Sequence, residues 1–150
     1  MAERKVDHSA LRTNQAFIIG LLILAFVLDV WPLVAFVAAV MLVGTAWPRA
    51  GLFKAVYFNA LKPLGIARPD VRVDNPEPHL FAQGVGGGVL ALATVAFVAH
   101  VPLAGWSLAW VVVGLAALNL FVGICVGCMM YYWFHRLGVP GFTAAPIQRR

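Results

Sequence analysis

The chain has 150 residues, enough for one domain, but 62% of them are hydrophobic and only 11% are charged, against about 25% charged in soluble domains. That balance excludes an ordinary water-soluble globule. The net charge of +5 is spread between apolar stretches rather than gathered on one basic surface, which argues against a nucleic-acid partner.

In chain order, residues 1 to 9 are polar, and acidic and basic residues mix through Arg12 before an apolar run begins. A cleavable signal peptide needs a basic start, a short apolar core and a small-residue cleavage site, so this N-terminus is expected to be retained. From Ala16 to Trp47 the only charge is Asp29, and between Pro78 and Phe134 there is none. The second run matches two membrane crossings of roughly 20 residues each plus a turn. Both runs are interrupted at turn-forming residues, Asp29-Val-Trp-Pro32 and His100-Val-Pro102.

The expected fold is therefore all-α, an integral membrane protein with four transmembrane helices arranged as two hairpins. The first hairpin spans about residues 10–48 and the second about 80–135, followed by a tail over 136–150. Its weak point is helix 2, because Leu33 to Trp47 is short for a crossing and leaves a re-entrant first hairpin open. Helix 4 is expected to run from about Trp106 to Phe134.

Between the hairpins, Leu52, Phe53, Val56, Tyr57, Ala60 and Leu61 recur at helical spacing, which predicts an amphipathic helix at the membrane interface. The prolines at 69, 76 and 78 then predict an extended strap through Pro78, with helix 3 starting near Leu80. The two hairpins also resemble each other. Gln15 and Gln83 open them, Gly20 and Gly88 follow five residues on, and Pro32-Leu33 with Gly44 is echoed by Pro102-Leu103 with Gly114.

All eleven basic residues precede helix 1, lie between the hairpins or follow helix 4, and neither hairpin turn carries one. By the positive-inside rule that side is cytoplasmic, which places both termini in the cytoplasm of a multi-pass protein of the inner (plasma) membrane.

The chemistry concentrates in Cys125-Val-Gly-Cys128, the only two cysteines. On a helix, residues three apart share a face with α-carbons about 5 Å apart, so the pair can bridge or share one soft ligand. On an unbroken helix 4 Cys128 is nearer the cytoplasm and is expected to react first, while the helix end disfavours thiolates. A reactive pair then needs a positive neighbour, for which Arg12, His135 and Arg136 are candidates, or a break at Gly123 or Gly127. Gln15 and Gln83 are the polar residues expected beside the thiols. Gly84, Gly88, Asn119, Gly123 and Gly127 are expected to form a close contact between helices 3 and 4. Plain membrane packing by both cysteines is the competing reading. A soft-metal site would draw on Cys125, Cys128, Met129, Met130 and His135, but no second such motif completes it, so no metal is assigned. His79 and His100 read as interfacial residues rather than ligands. The residues name no cofactor, and no phosphate loop or Ser-His-Asp pattern occurs.

With Phe81-Ala-Gln83 ahead of helix 3, and Asn119-x-Phe121-x-x-x-Cys125-x-Gly127-Cys128 in helix 4, the chain resembles a bacterial membrane family catalogued as domain of unknown function 4395, over about residues 6 to 137. The resemblance implies a four-helix membrane protein. It also implies genomic neighbours of thioredoxin-like and thiosulfate sulfurtransferase type, which favours thiol or sulfur chemistry. Where that family usually has a basic residue just before Phe-Ala-Gln, this chain has His79-Leu80, a departure that bears on the charge of the site.

Three functions stay open on these grounds. The first is thiol–disulfide exchange or handling of a small sulfur species, with a thioredoxin-like or sulfurtransferase partner. The second is a non-catalytic accessory subunit of a larger membrane complex. The third is binding or transport of copper or zinc.

Overall fold

A computed structural model describes residues 5–66 and 68–142. Three of the basic residues in the charge argument, Arg4, Arg149 and Arg150, and most of the tail expected at 136–150 lie outside the described residues. The described residues are mostly helical, 76%.

Helix α1 (His8–Val27) starts where Asp7 accepts a hydrogen bond from the Ser9 N–H at 3.0 Å, an N-cap that satisfies one of the free donors of the first turn. It ends at Asp29, and helix α2 (Trp31–Ala46) opens with Pro32 in its first turn. Helices α4 (Pro76–Val98) and α5 (Pro102–Ala117) are joined in the same manner at His100. Asp29 and His100 both take a left-handed backbone, with φ of 52° and 59°. Val30 N donates to Ala25 O and Val101 N to Ala96 O, each at 2.9 Å. These are six-residue C-terminal caps that satisfy the last carbonyls of a helix.

The core is one apolar cluster from all four helices: Ile18 and Leu22 of α1, Val34, Val37 and Met41 of α2, Leu90, Ala93 and Phe97 of α4, and Ala109 and Val112 of α5. Helix α4 is central, packing against α2, α5 and the later helix α6 (Val126–Arg136), while α1 packs against α2 and α5. Outside that cluster the helices present an unbroken supply of apolar side chains, among them Leu24, Val27, Val95, Val98, Leu103 and Val111. Among the described residues three helical stretches are long and apolar enough to cross a membrane: His8–Val27, Pro76–Val98 and Pro102–Val122. Helix α2, with 16 residues, rises only about 24 Å, short of a hydrocarbon core of about 30 Å.

Several expectations are corrected. The strap ends at Asn75, not Pro78, because proline fits the first turn of a helix, where its missing N–H costs nothing. Pro76 therefore opens α4, with Asn75 as its cap. The strap also pairs. Its strand β2 (Val71–Val73) runs antiparallel to β1 (Lys5–Asp7), with Val6 opposite Arg72, so the polar start of the chain from Lys5 is tied down. The interfacial helix is broken: helix α3 (Leu52–Val56) passes into one wide π-type turn over Tyr57–Leu61. Of its apolar stripe only Phe53 and Tyr57 are buried, Phe53 stacked on Phe17 at 5.4 Å and Tyr57 bonded through its hydroxyl to Asp7 at 3.0 Å.

The largest correction concerns the expected helix from Trp106 to Phe134. After Ala117 the backbone widens into a π turn over Leu118–Val122, stops at Gly123, and begins again as α6. Gly123 has φ of 78°, a left-handed conformation that glycine adopts without penalty and that a side chain disfavours. The apolar run continues through it, so the sequence offers a break at Gly123 or Gly127 only as one condition for a reactive pair, and the structure has it at Gly123.

The glycine contact is likewise redistributed. A methyl group added to Gly127 would fall 2.5 Å from Ala82 Cβ of α4, so α6 and α4 touch there. Gly84 instead faces Thr45 of α2, and Gly88 and Gly123 face open space. Gly127→Leu should lower the thermal midpoint in detergent by overpacking worth about 1–3 kcal/mol, and Gly88→Leu should leave it nearly unchanged. Equal midpoints for wild type and Gly127→Leu would remove the α4–α6 contact from this account.

Candidate functional site

The break at Gly123 creates the site. With the chain extended at Ile124 and Cys125, Cys125 becomes the N-cap residue of α6, and its Sγ accepts a hydrogen bond from Cys128 N at 3.2 Å. The thiol pair thus stands at the electropositive start of a helix, where backbone N–H groups favour a thiolate. This reverses the expectation of a pair near a helix's negative end. The two sulfurs are joined as a disulfide, with α-carbons 5.2 Å apart.

The second component comes from the first turns of α4. His79 Nδ1 lies 3.5 Å from Cys128 Sγ. Its Nε2 is 3.0 Å from Asp74 Oδ2, the last acidic residue of the strap. The result is a carboxylate, an imidazole and a sulfur in line. With Nε2–H donated to Asp74, Nδ1 presents its lone pair to the sulfur. His8 Nε2 lies 3.2 Å from the same Asp74 oxygen, so one carboxylate gathers a histidine from each of α1 and α4. Burial pushes the Asp74 carboxyl up, but the His79 hydrogen bond, the Asn75 N–H and the charges of His79 and His8 outweigh it and hold Asp74 below the usual carboxylate range. Asp74 is therefore ionised at neutral pH. Its contribution to stability is present above the unfolded carboxylate pKa and is lost only as pH falls through the lower folded value. Nearby, burial and the Asp74 charge raise the Tyr132 hydroxyl, which stays neutral.

Two adjoining cavities meet at the thiols. The inner one, of about 130 Å³, includes Asn14, Gln15, His79, Gln83, Asn119 and Cys125 in its lining. The outer one opens past His8, Arg12, Gln15, Asp74, Asn119 and both cysteines. Arg12, Gln15 and Asn119 line the outer cavity together with both cysteines. Gln83 reaches the inner cavity too, but its amide nitrogen is spent on the Met41 carbonyl at 3.0 Å. His135 and Arg136 are not part of the site. They end α6, which begins at the thiols and rises about 1.5 Å per residue, and His135 Nδ1 sits 2.6 Å from Phe142 O. Met129 lines the outer cavity and Met130 the inner one.

His79 and Asp74 were missed as site residues. The available signal was the position of His79 directly before Leu80-Phe81-Ala82-Gln83. That run stitches α4 to its neighbours: the Phe81 ring packs on Tyr131 and Phe142 at 5.7 and 5.5 Å, Ala82 meets Gly127, and Gln83 holds α2. Tyr131 adds a hydrogen bond from its hydroxyl to Glu77 at 3.2 Å.

The arrangement defines a class: a helical, strongly apolar protein with a cysteine pair at a helix start, faced by a histidine–aspartate couple. The family follows from the sequence. The chain belongs to the family described as domain of unknown function (DUF4395), whose family model matches residues 6–136. Comparison with curated proteins and with solved structures found no match.

Exposure also assigns an order to the two thiols. Cys128, covered by His79, is only 8% exposed, whereas Cys125 is half-buried at the cavity mouth. After mild reduction, Cys125 should be alkylated several-fold faster than Cys128, as peptide mass spectrometry of time-quenched samples would read. Faster labelling of Cys128, the order expected for an unbroken helix, would contradict the site geometry.

Proposed function

We propose that this protein is an integral membrane thiol–disulfide exchange protein whose Cys125–Cys128 pair works at the cytoplasmic face with a thioredoxin-like partner or on a small sulfur compound. The observation that carries the reading is the placement of the pair at the start of α6, with the Asp74–His79 couple on the less exposed sulfur.

The membrane part of the proposal rests on three long apolar helices and the exposed apolar side chains around them, a surface too apolar for water. Four crossings follow if the shorter α2 gains length from the turn at Pro48–Ala50 or the bilayer thins around it. Lys5, Arg12, Arg49, Lys54, Lys62, Arg68, Arg72 and Arg136 stand before, between or after the hairpins, which by the positive-inside rule assigns the thiol end to the cytoplasm. That is a reducing compartment, so the disulfide is a turnover state rather than a permanent staple. The same reading takes the two halves as copies of one plan. Gly51 stands at the N-cap position of α3 with no side-chain cap, where Cys125 caps α6 through its sulfur, and Lys54 holds the place of Cys128, so only the second half carries thiols.

In the reducing direction the Cys125 thiolate attacks one sulfur of a partner disulfide, forming a mixed disulfide and releasing the other sulfur as a thiolate. Cys128 then gives its proton to His79 Nδ1 and attacks Cys125 Sγ. The second partner sulfur leaves, the Cys125–Cys128 disulfide closes, and the proton on His79 passes to a departing thiolate. The partner gains two electrons and one proton, its other sulfur leaving as a thiolate, and the pair, which starts as one thiolate and one thiol, loses two electrons and one proton. The opposite direction retraces these steps.

Replacing the resolving thiol isolates the intermediate. Cys128→Ser should accumulate a mixed disulfide with a thioredoxin-like protein or a small thiol compound through Cys125, while Cys125→Ser should trap several-fold less. His79→Ala, with both thiols present, should slow closure of the pair by about 10²-fold or more. No adduct in either serine variant, together with unchanged closure in His79→Ala, would refute exchange at this site.

A further inference from the structure

We propose that, once reduced, Cys125, Cys128 and His79 hold one soft closed-shell cation, copper(I) or zinc(II), and that closing the disulfide expels it. This inference goes beyond exchange activity and requires only that the pair can be reduced.

Sγ of both cysteines and a ring nitrogen of His79 lie within 4.8 Å of one another. Thiolate and imidazole are donors suited to these two ions. The distance from His79 Nδ1 to Cys128 Sγ, 3.5 Å, equals the separation of roughly 3.5 Å expected across a tetrahedral ion with bonds near 2.3 Å to sulfur and near 2.0 Å to nitrogen. Two movements of Cys125 Sγ complete the site: it parts from Cys128 Sγ to roughly 3.8 Å, and from a separation of up to 4.8 Å it closes on the His79 nitrogen to roughly 3.5 Å, on the same bond lengths. Side-chain rotation permits this with α-carbons 5.2 Å apart.

The histidine is also held as a ligand needs to be. Its Nε2 is fixed on Asp74, which turns the Nδ1 lone pair towards the sulfurs, and a carboxylate behind a ligating histidine is the usual support for such a site. Neither Met129, Met130 nor His135 is needed. Two elements supply the three donors, the start of α6 and the beginning of α4. The donors share the lining of the outer cavity with Arg12 and Asn119, which leaves one side open to it. Three protein donors with one open side satisfy copper(I) directly, and they satisfy zinc(II) once water or an external thiol takes the fourth position.

The redox coupling balances. A dithiol reduces the Cys125–Cys128 disulfide to two thiols and is itself oxidised to a disulfide, and the incoming cation displaces both thiol protons. When a disulfide compound oxidises the pair, two of the three donors become a sulfur–sulfur bond, the compound becomes two thiolates that take their protons from water, and the ion is released.

The test uses the full chain in detergent, reduced with a phosphine, desalted without oxygen, and incubated with copper(I) or zinc(II). Metal retained after a second desalting is counted by mass spectrometry, and X-ray absorption identifies its neighbours. The proposal expects one ion per reduced chain, bound by two sulfurs and one imidazole nitrogen, and almost none in the disulfide form. Whichever arm retains the ion identifies it as copper or zinc. Competition with a chromophoric chelator should show affinity lowered about tenfold or more in both His79→Gln and Asp74→Asn, with thermal midpoints confirming that the variants are folded. Failure of the reduced wild type to retain either ion, equal retention by the disulfide form, or a spectrum without imidazole nitrogen would each overturn the site. The wild-type spectrum decides even if both variants unfold.

Discussion

The structure depends most on one backbone event, the left-handed turn at Gly123. A helix continued through it would leave both cysteines on a lateral face, deep in apolar surroundings and near a negative helix end. Stopping there extends Ile124 and Cys125, and it makes Cys125 Sγ the acceptor for Cys128 N. That single change moves the thiols from an inert setting to the electropositive start of α6. The open space around Gly123 marks it as a conformational glycine rather than a packing one.

What the break exposes, the start of α4 completes. Pro76 begins that helix early enough to bring His79 over Cys128, and Asn75 caps it while Asp74 receives His79 from behind. The strap is held in turn by its pairing with Lys5–Asp7. Asp7 works three times over: it caps α1, accepts the Tyr57 hydroxyl, and accepts the Asp70 N–H at 3.3 Å. A chain with so few charges thus spends most of its acidic residues on orienting one end of a helical bundle. The cost of burying Asp74 is offset by two histidines and a backbone donor, the condition under which a partly buried carboxylate persists.

Much of the architecture was legible in the sequence because apolar run length and charge placement are coarse signals that tertiary contacts do not override. The hairpin turns at Asp29 and His100 were readable from the prolines that follow them. Around the thiol pair, Arg12 and Gln15 could be singled out because each is a polar interruption at the start of an apolar run, whereas Asn119 read as a packing residue between helices. The break at Gly123 was legible only as one alternative, since glycine serves equally as packing surface and as a left-handed hinge and only the backbone distinguishes the two. His79 and Asp74 were hidden for a related reason. Proline at 76 and 78 suggested an extended strap, whereas the first turn of a helix accommodates both residues, and only that turn carries His79 to the sulfur. His135 looked close to the thiols by sequence, but it lies at the far end of α6.

In the proposed function the Cys125–Cys128 pair cycles between dithiol and disulfide at a reducing face. The most direct test is the redox state of these two residues in intact cells, fixed by rapid acid quenching and read by differential thiol labelling and mass spectrometry. Cycling predicts that dithiol and disulfide are both populated, with the ratio moving to disulfide when cytosolic thiol reductants are depleted and returning when they are restored. A pair that stays wholly in one form through that challenge would contradict the claim and leave the cysteines as packing residues.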